Sequence, residues 1–171
     1  MAKQNIQMIS IKIRQALIED VNQITQLFFD TIQNINIKHY SKEEVDDWSS
    51  WKTDTDKWLE RIQEQYFVLA EINNQIVGFS SLAEDGYLDF MFVHKDFQGL
   101  GIASDLLSEI EHQASEQNNE IIYSDVSITA KEFFEKKGFI VESQQLKKSK
   151  KKELVNFRMT KKRVITLVNK G

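Results

Sequence analysis

Cysteine is absent from this sequence. Neither a disulfide framework nor a thiolate metal site can therefore form. Histidine is scarce: His39, His94 and His112 are scattered, without the local spacing of a histidine metal site. Proline is missing too, and no functional reading attaches to that. No apolar run reaches the ~20 residues of a membrane span, and the N-terminus lacks the apolar core of a secretory signal. A cytoplasmic protein with no membrane partner is the expectation. Positive charge is not in excess either. The formal net charge of −4 argues against a general nucleic-acid binder.

What is present suits one globular domain. A hydrophobic content of 41% over 171 residues is enough to bury a sizeable core. We expect a single domain over 1–171, with a polar, frayed segment at 1–8 and a tail at 163–171. No internal repeat or linker interrupts it.

Hydrophobic periodicity then orders the elements. Ile9, Ile11 and Ile13 alternate with polar residues and predict a first strand. A helical period runs through Val21, Ile24, Leu27, Phe28 and Ile32, predicting a helix over 18–34. Ser41 and Glu44 form a capping-box pattern ahead of a second helix over 42–48, and 53–56 offers an N-cap for a third. Strands over 66–72 and 75–83 flank Asn73-Asn74, a hairpin turn by its chemistry. A third strand, 87–93, follows Glu84-Asp85-Gly86. Beyond it come a helix, a strand at 120–126, a helix at 129–137, a strand at 139–146, the basic turn 147–152 and a last strand at 153–160. This is an α+β layout: a mixed, mostly antiparallel central sheet of about seven strands flanked by helices.

The most informative stretch lies mid-chain. The apolar strand ending at Val93 is followed by a polar turn, then by Gln98-Gly99-Leu100-Gly101, then by a helix striped with Ile102, Leu106, Leu107, Ile110 and Ala114. The first turn of a helix carries unpaired N–H groups and the positive end of the macrodipole. Glycines there let a phosphate approach those amides closely. The same spacing also serves as a plain turn, and the residues alone leave both readings open. A P-loop is excluded, because Gly101-Ile102-Ala103 is not Gly-Lys-Ser/Thr. The dinucleotide fingerprint lacks its third glycine near Asp105.

Gln98-Gly99-Leu100-Gly101-Ile102-Ala103 resembles the Gln/Arg-x-x-Gly-x-Gly/Ala signature of the GNAT superfamily of N-acetyltransferases. Downstream, Ser127-Ile128-Thr129-Ala130 through Phe133-Phe134 to Gly138-Phe139 is similar to the family's second landmark, Asn-x-x-Ala…Phe-Tyr-x-x-x-Gly-Phe. The Ser-Ile-Thr-Ala…Phe-Phe variant, with the segment from His39 to Glu44 before Trp48, looks like the YafP-like branch of small bacterial acetyltransferases. The resemblance implies the acyl-CoA N-acyltransferase fold, acetyl-CoA as donor and an amine of a small molecule or peptide as acceptor. It implies cofactor contacts from the main chain of Met91, Phe92 and Val93, from Gln98, Gly99, Leu100, Gly101, Ile102, Ala103 and Ser104, and from Ser127, Phe133 and Phe134. An acyl-CoA sensor without turnover is the alternative from another class.

Acetyl transfer to an amine needs a positioned thioester, a base for the amine and a departing thiolate. Asp89 is the candidate base. It is the one charged residue in an otherwise apolar and aromatic strand, and period-two alternation would place it on one face with Tyr87 and Met91. A carboxylate set among aromatics is poised to accept a proton; a strand-end Asp also serves simply as a solvated edge or turn cap. For the acid, phenylalanine stands at Phe134 where the family usually has tyrosine, and it cannot donate a proton. Tyr123 or Ser127 is then the substitute, or the thiolate leaves unaided. The acceptor pocket is expected from the first helices, with Phe28, Tyr40 and Trp48 as substrate contacts. Phe29, Trp51 and Trp58 stand with them, beside Glu43, Glu44, Asp46 and Asp47, an aromatic and acidic lining suited to a cationic amine. The stronger expectation is that most of these aromatics are core and that the acidic run is a solvated helix face. Edge strands near the C-terminal hairpin allow a homodimer.

Overall fold

The computed structural model describes residues 9–164. The expected frayed segment and most of the expected tail lie outside those residues. The chain runs β1 (Lys12–Gln15), α1 (Val21–Asn34), α2 (Lys42–Ser49), α3 (Thr55–Glu64), β2 (Tyr66–Ile72), β3 (Gln75–Leu82), β4 (Leu88–Val93), α4 (Ile102–Glu116), β5 (Ile121–Ser127), α5 (Lys131–Lys136), β6 (Ile140–Lys148) and β7 (Glu153–Lys162), with short 3-10 turns around α1 and α2. Among the described residues no helix is long and apolar enough to cross a membrane.

Local chemistry explains the boundaries. At α2 the Glu44 N–H donates to Ser41 Oγ at 3.1 Å while the Ser41 N–H donates to Glu44 Oε1 at 3.0 Å, a complete capping box. Asn73 and Asn74 have φ of 50° and 62°, the left-handed pair of a type I′ hairpin turn. Two expectations need correction. β1 begins only at Lys12, leaving Ile9 exposed. At α3 the Asp54 carboxylate caps no N–H; it pairs instead with Lys150 Nζ at 3.2 Å.

Seven strands are present among the described residues, but the central sheet is divided. β1-β2-β3-β4 form one antiparallel sheet and β5-β7-β6 a second. Between them lie a single parallel bridge, Tyr87 to Tyr123, the Tyr123 N–H bond to Gly86 O at 3.1 Å and the Ser124 Oγ–H bond to Leu88 O at 2.7 Å. Beyond Leu88 the two strands diverge. The cause is in β4: Leu82 faces Leu88 whereas Ser81 faces Phe90, so Asp89 is the extra residue of a β-bulge. A bulge bends its strand and raises the local twist, and here it turns β4 away from β5.

The bulge also resets which side chains share a face. Leu88, Met91 and Val93 belong with the core beneath α4, whereas Phe90 and Phe92 join Phe28, Trp58, Phe67 and Phe79 in the core beneath α1 to α3. Trp58 stacks on Phe90 with centroids 4.8 Å apart, and Phe28 meets Phe92 edge-on at 5.1 Å. Strict alternation therefore fails at Asp89, whose carboxylate turns to α3 rather than sharing the Met91 side.

Helix α4 lies close against β3, and Gly78 is the reason. A Cβ at Gly78 would sit 2.9 Å from Ile102 Cγ2 and 3.1 Å from Leu106 Cδ1, both buried. Gly78→Val is expected to cost ~2 kcal/mol, the usual penalty for overfilling a packed interior. Urea unfolding measures this directly, and an unshifted midpoint would contradict the packing described.

Candidate active site

Where β4 and β5 part, a cleft of about 840 Å3 opens between the two sheets. One end is walled by the turn before α4 and by α5, the other by α2, α3 and the β6–β7 turn.

At the first end, Gly99 and Gly101 have φ of 74° and 83°, and a Cβ on either would meet nothing within 4 Å. Their positive φ, not crowding by the protein, calls for glycine. The N–H groups of Gln98 and Gly99, and of Gly101 through Ser104, donate to no main-chain acceptor among the described residues; the first such bond of α4 is Asp105 N–H to Gly101 O at 3.1 Å. Ile102 buries its side chain while Ala103 and Ser104 extend the same open row of amides into the cleft. Leu100 is exposed and does not line the cleft. Gln98 Nε2 donates to Val93 O at 2.8 Å, tying the loop to the end of β4.

Among the described residues β4 is an edge strand of its sheet, and that edge forms the cleft floor. His94 N–H donates to Val77 O at 2.8 Å, which sets the alternation of the antiparallel ladder. Phe92 is thereby held in a hydrogen-bonded pair with Phe79, whereas the main chain of Met91 and Val93 turns to the open side. Val93 O accordingly accepts from Thr31 Oγ1 at 3.0 Å as well as from Gln98. Of the three residues expected to offer main-chain donors, Met91 and Val93 do so and Phe92 does not.

Asp89 lines the cleft, and its Oδ2 accepts from Gln65 Nε2 at 2.8 Å and Arg61 Nε at 3.1 Å. It is thus a paired carboxylate, not an isolated one among aromatics. Ser127, Phe133 and Phe134 also line the cleft; Ser127 Oγ accepts the Ala130 N–H at 3.1 Å, and Phe134 is buried. Tyr123 does not reach it. Its hydroxyl donates to Asp85, and that contact together with burial pushes the phenol up to about 12.

Phe28, Tyr40 and Trp48 all line the other end, though Phe28 is core and the Tyr40 hydroxyl is spent. It donates to Val155 O at 2.6 Å and accepts the Ile128 N–H at 2.9 Å, and burial raises its pKa. The acidic run next to Trp48 contributes nothing to the lining. Glu44 serves the capping box, Asp46 pairs with Lys42 at 2.6 Å and Glu43 with Lys152 at 2.9 Å. Asp47 accepts the main-chain N–H groups of Lys150, Lys151 and Lys152 at 3.0 to 3.1 Å, pinning the basic turn over the cleft mouth.

Sequence reasoning missed a cluster centred on Asp125, which the cleft includes. Its carboxylate accepts from Arg158 Nε, Lys147 Nζ and Gln145 Nε2, each at 2.7 Å, and from the Tyr87 hydroxyl at 3.2 Å. Burial opposes its charge, but Arg158 and Lys147 outweigh burial and hold the carboxyl well below the usual range. Burial, then the charge of Asp125, raises the Tyr87 phenol far above its ordinary value. A depressed carboxyl adds stability above its unfolded-state value, near ~3.9, and that stability is lost as pH falls below it. Asp125→Asn is therefore expected to be less stable than the parent at pH 7, with the gap narrowing between pH 4 and 2. Unfolding midpoints across that range check the sign; a constant gap would contradict it. The one sequence signal was a lone acid in an otherwise uncharged strand, on the face opposite Ile122, Ser124 and Val126.

A family model for the acetyltransferase (GNAT) domain matches residues 36–162. The chain is 33% identical over 150 residues to the uncharacterized N-acetyltransferase YafP of Escherichia coli, covering 88% of this chain and 95% of that one. A GCN5-related N-acetyltransferase from Rhodopseudomonas palustris superposes with a TM-score of 0.87 at 28% identity, covering 90% of this chain and 97% of that one. PaiA N-acetyltransferase from Thermoplasma acidophilum, solved with coenzyme A, shares the fold at a TM-score of 0.77 and 23% identity, over 90% and 99% of the two chains. Divided sheet, bulged β4 and glycine-led α4 together define an acyl-CoA N-acyltransferase fold. The chain belongs to the GNAT family of acetyltransferases.

Proposed function

We propose that this protein is an acetyl-CoA-dependent N-acetyltransferase acting on a primary amine of a small molecule or peptide, by direct attack within a ternary complex. The observation that carries this reading is the row of N–H groups at Gln98, Gly99 and Gly101 through Ser104 that, among the described residues, have no acceptor, facing one end of a cleft floored by the edge of β4. Those amides fit a diphosphate, each charge-assisted hydrogen bond being worth ~1.5–3 kcal/mol. The Met91 and Val93 main chain fits the amide-bearing arm of coenzyme A as an added strand would. Bound there, acetyl-CoA supplies an activated acyl group, and a Met91 or Val93 N–H polarises its carbonyl.

Asp89 takes the proton from the attacking amine. Its pairing with Arg61 and Gln65 orients the carboxylate from the α3 side. No tyrosine hydroxyl is offered by Phe134, and Tyr123 is engaged outside the cleft, so the thiolate leaves without a tyrosine acid; Ser127 is the hydroxyl on the lining nearest that role in sequence. A coenzyme A release assay over a panel of amines tests the reading. Turnover with one or more amines supports it, whereas coenzyme A binding without release across the panel favours the acyl-CoA sensor. The same reading includes a homodimer along β6, an edge strand with Ile140, Val141 and Leu146 exposed.

A further inference from the structure

Charge at the acceptor end of the cleft does not balance. Each carboxylate on the lining already has a cation. Asp89 takes Arg61 Nε at 3.1 Å, Glu60 takes the same guanidinium at 3.4 Å, and Asp125 takes both Lys147 and Arg158 at 2.7 Å. Two lining lysines have no such partner. Among the described residues, neither Lys57 nor Lys148 forms an ion pair or donates a side-chain hydrogen bond. Glu60 lies one turn along α3 from Lys57, and Glu153 faces Lys148 across the β6–β7 ladder, yet neither closes on its neighbour.

Both lysines stand around Trp51, which also lines the cleft. Lys57 Nζ lies 4.0 Å from the centroid of the Trp51 ring. Trp51 Nε1 donates to the hydroxyl of Ser149, the residue after Lys148, at 3.0 Å. Asp47 fixes the turn that follows through the N–H groups of Lys150 and Lys151. Lys150 Nζ approaches the same ring at 4.8 Å but differs in having Asp54 at 3.2 Å. An indole face attracts a cation without neutralising its charge, so Lys57 keeps its pull on an anion. The unmatched charge at this mouth is positive, and the acidic run of α2 that would have met a cationic acceptor is spent within the protein.

We infer that the acyl acceptor carries an anionic group besides its amine, a carboxylate or a phosphate, and that Lys57 and Lys148 bind that group at the mouth of the cleft. This rests on the acetyltransferase reading and adds the substrate class. Lysine is a compact point charge without the planar fork that selects carboxylate geometry, so both anions share the chemistry. A polyamine is disfavoured, because its second ammonium would meet like charge at the mouth.

Matched amines test this. Rates with acetyl-CoA are compared for aminobutyrate, aminohexanoate and aminopropylphosphonate, for butylamine and hexylamine, and for diaminobutane. At least one of the three anionic amines is expected to exceed the alkylamine of similar length about tenfold in kcat/KM, with diaminobutane below both. Aminobutyrate against aminopropylphosphonate tells carboxylate from phosphate. Lys57→Gln and Lys148→Gln are each expected to reduce the ratio of kcat/KM between anionic amine and alkylamine about threefold, and together about tenfold, the loss appearing in KM. That ratio cancels any general loss of folding or of coenzyme A binding, which lowers both rates alike. A parent that prefers alkylamines or diaminobutane overturns this inference alone, as does a ratio that the double variant leaves unchanged. Coenzyme A binding without release from any amine of the panel overturns the acetyltransferase reading along with it.

Discussion

Gly101→Glu is expected to weaken coenzyme A binding by more than about a hundredfold. Two effects add. Gly101 sits at φ of 83°, where a residue with a Cβ is strained by ~1–2 kcal/mol, so the turn that aims the α4 amides is distorted. The space beyond its Cα is open, so the new carboxylate occupies the place of the diphosphate and repels it. Losing two charge-assisted hydrogen bonds alone accounts for a factor of this size. Gly101→Ala separates the contributions, because it carries the backbone strain without the charge and is expected to fall between parent and glutamate. Calorimetric titration with coenzyme A reads both. Binding by the glutamate variant within a few-fold of the parent would place the ligand elsewhere.

Asp89→Asn is expected to lower kcat at least tenfold while leaving coenzyme A affinity unchanged. General-base catalysis is worth about a hundred- to ten-thousandfold in favourable cases, and an amide cannot take the proton. Asn keeps an oxygen for Gln65 and Arg61, so the bulge and the α3 contact survive and the loss is chemical. Single-turnover rates with saturating amine are the cleanest readout. A parent-like rate would remove Asp89 from proton transfer.

Much of this was readable from the sequence where the chemistry is local. The Asn73-Asn74 turn, the Ser41–Glu44 capping box, the buried stripe of α4 and the glycine-led loop each depend on residues a few positions apart. What escaped depends on distant partners. The bulge at Asp89 follows from how β4 registers against Ser81 and Leu82 of β3, and it moves Asp89 off the Met91 side. Period-two reasoning on one strand cannot detect that. Asp89 meets Arg61 across twenty-eight positions and Asp125 meets Arg158 across thirty-three. The acidic run of α2 read first as a solvated helix face, yet Asp47 holds the main chain of Lys150 to Lys152 across more than a hundred positions. Tyr123 looked free to donate a proton because Asp85 lies on another strand's approach.

Amide-resolved NMR titration of isotopically labelled protein with coenzyme A tests the phosphate cradle most directly. The N–H resonances of Gly99 and of Gly101 through Ser104 should move most, with those of Met91 and Val93 following as the arm settles along β4. Shifts confined to other parts of the chain, with these amides unmoved at saturation, would contradict it.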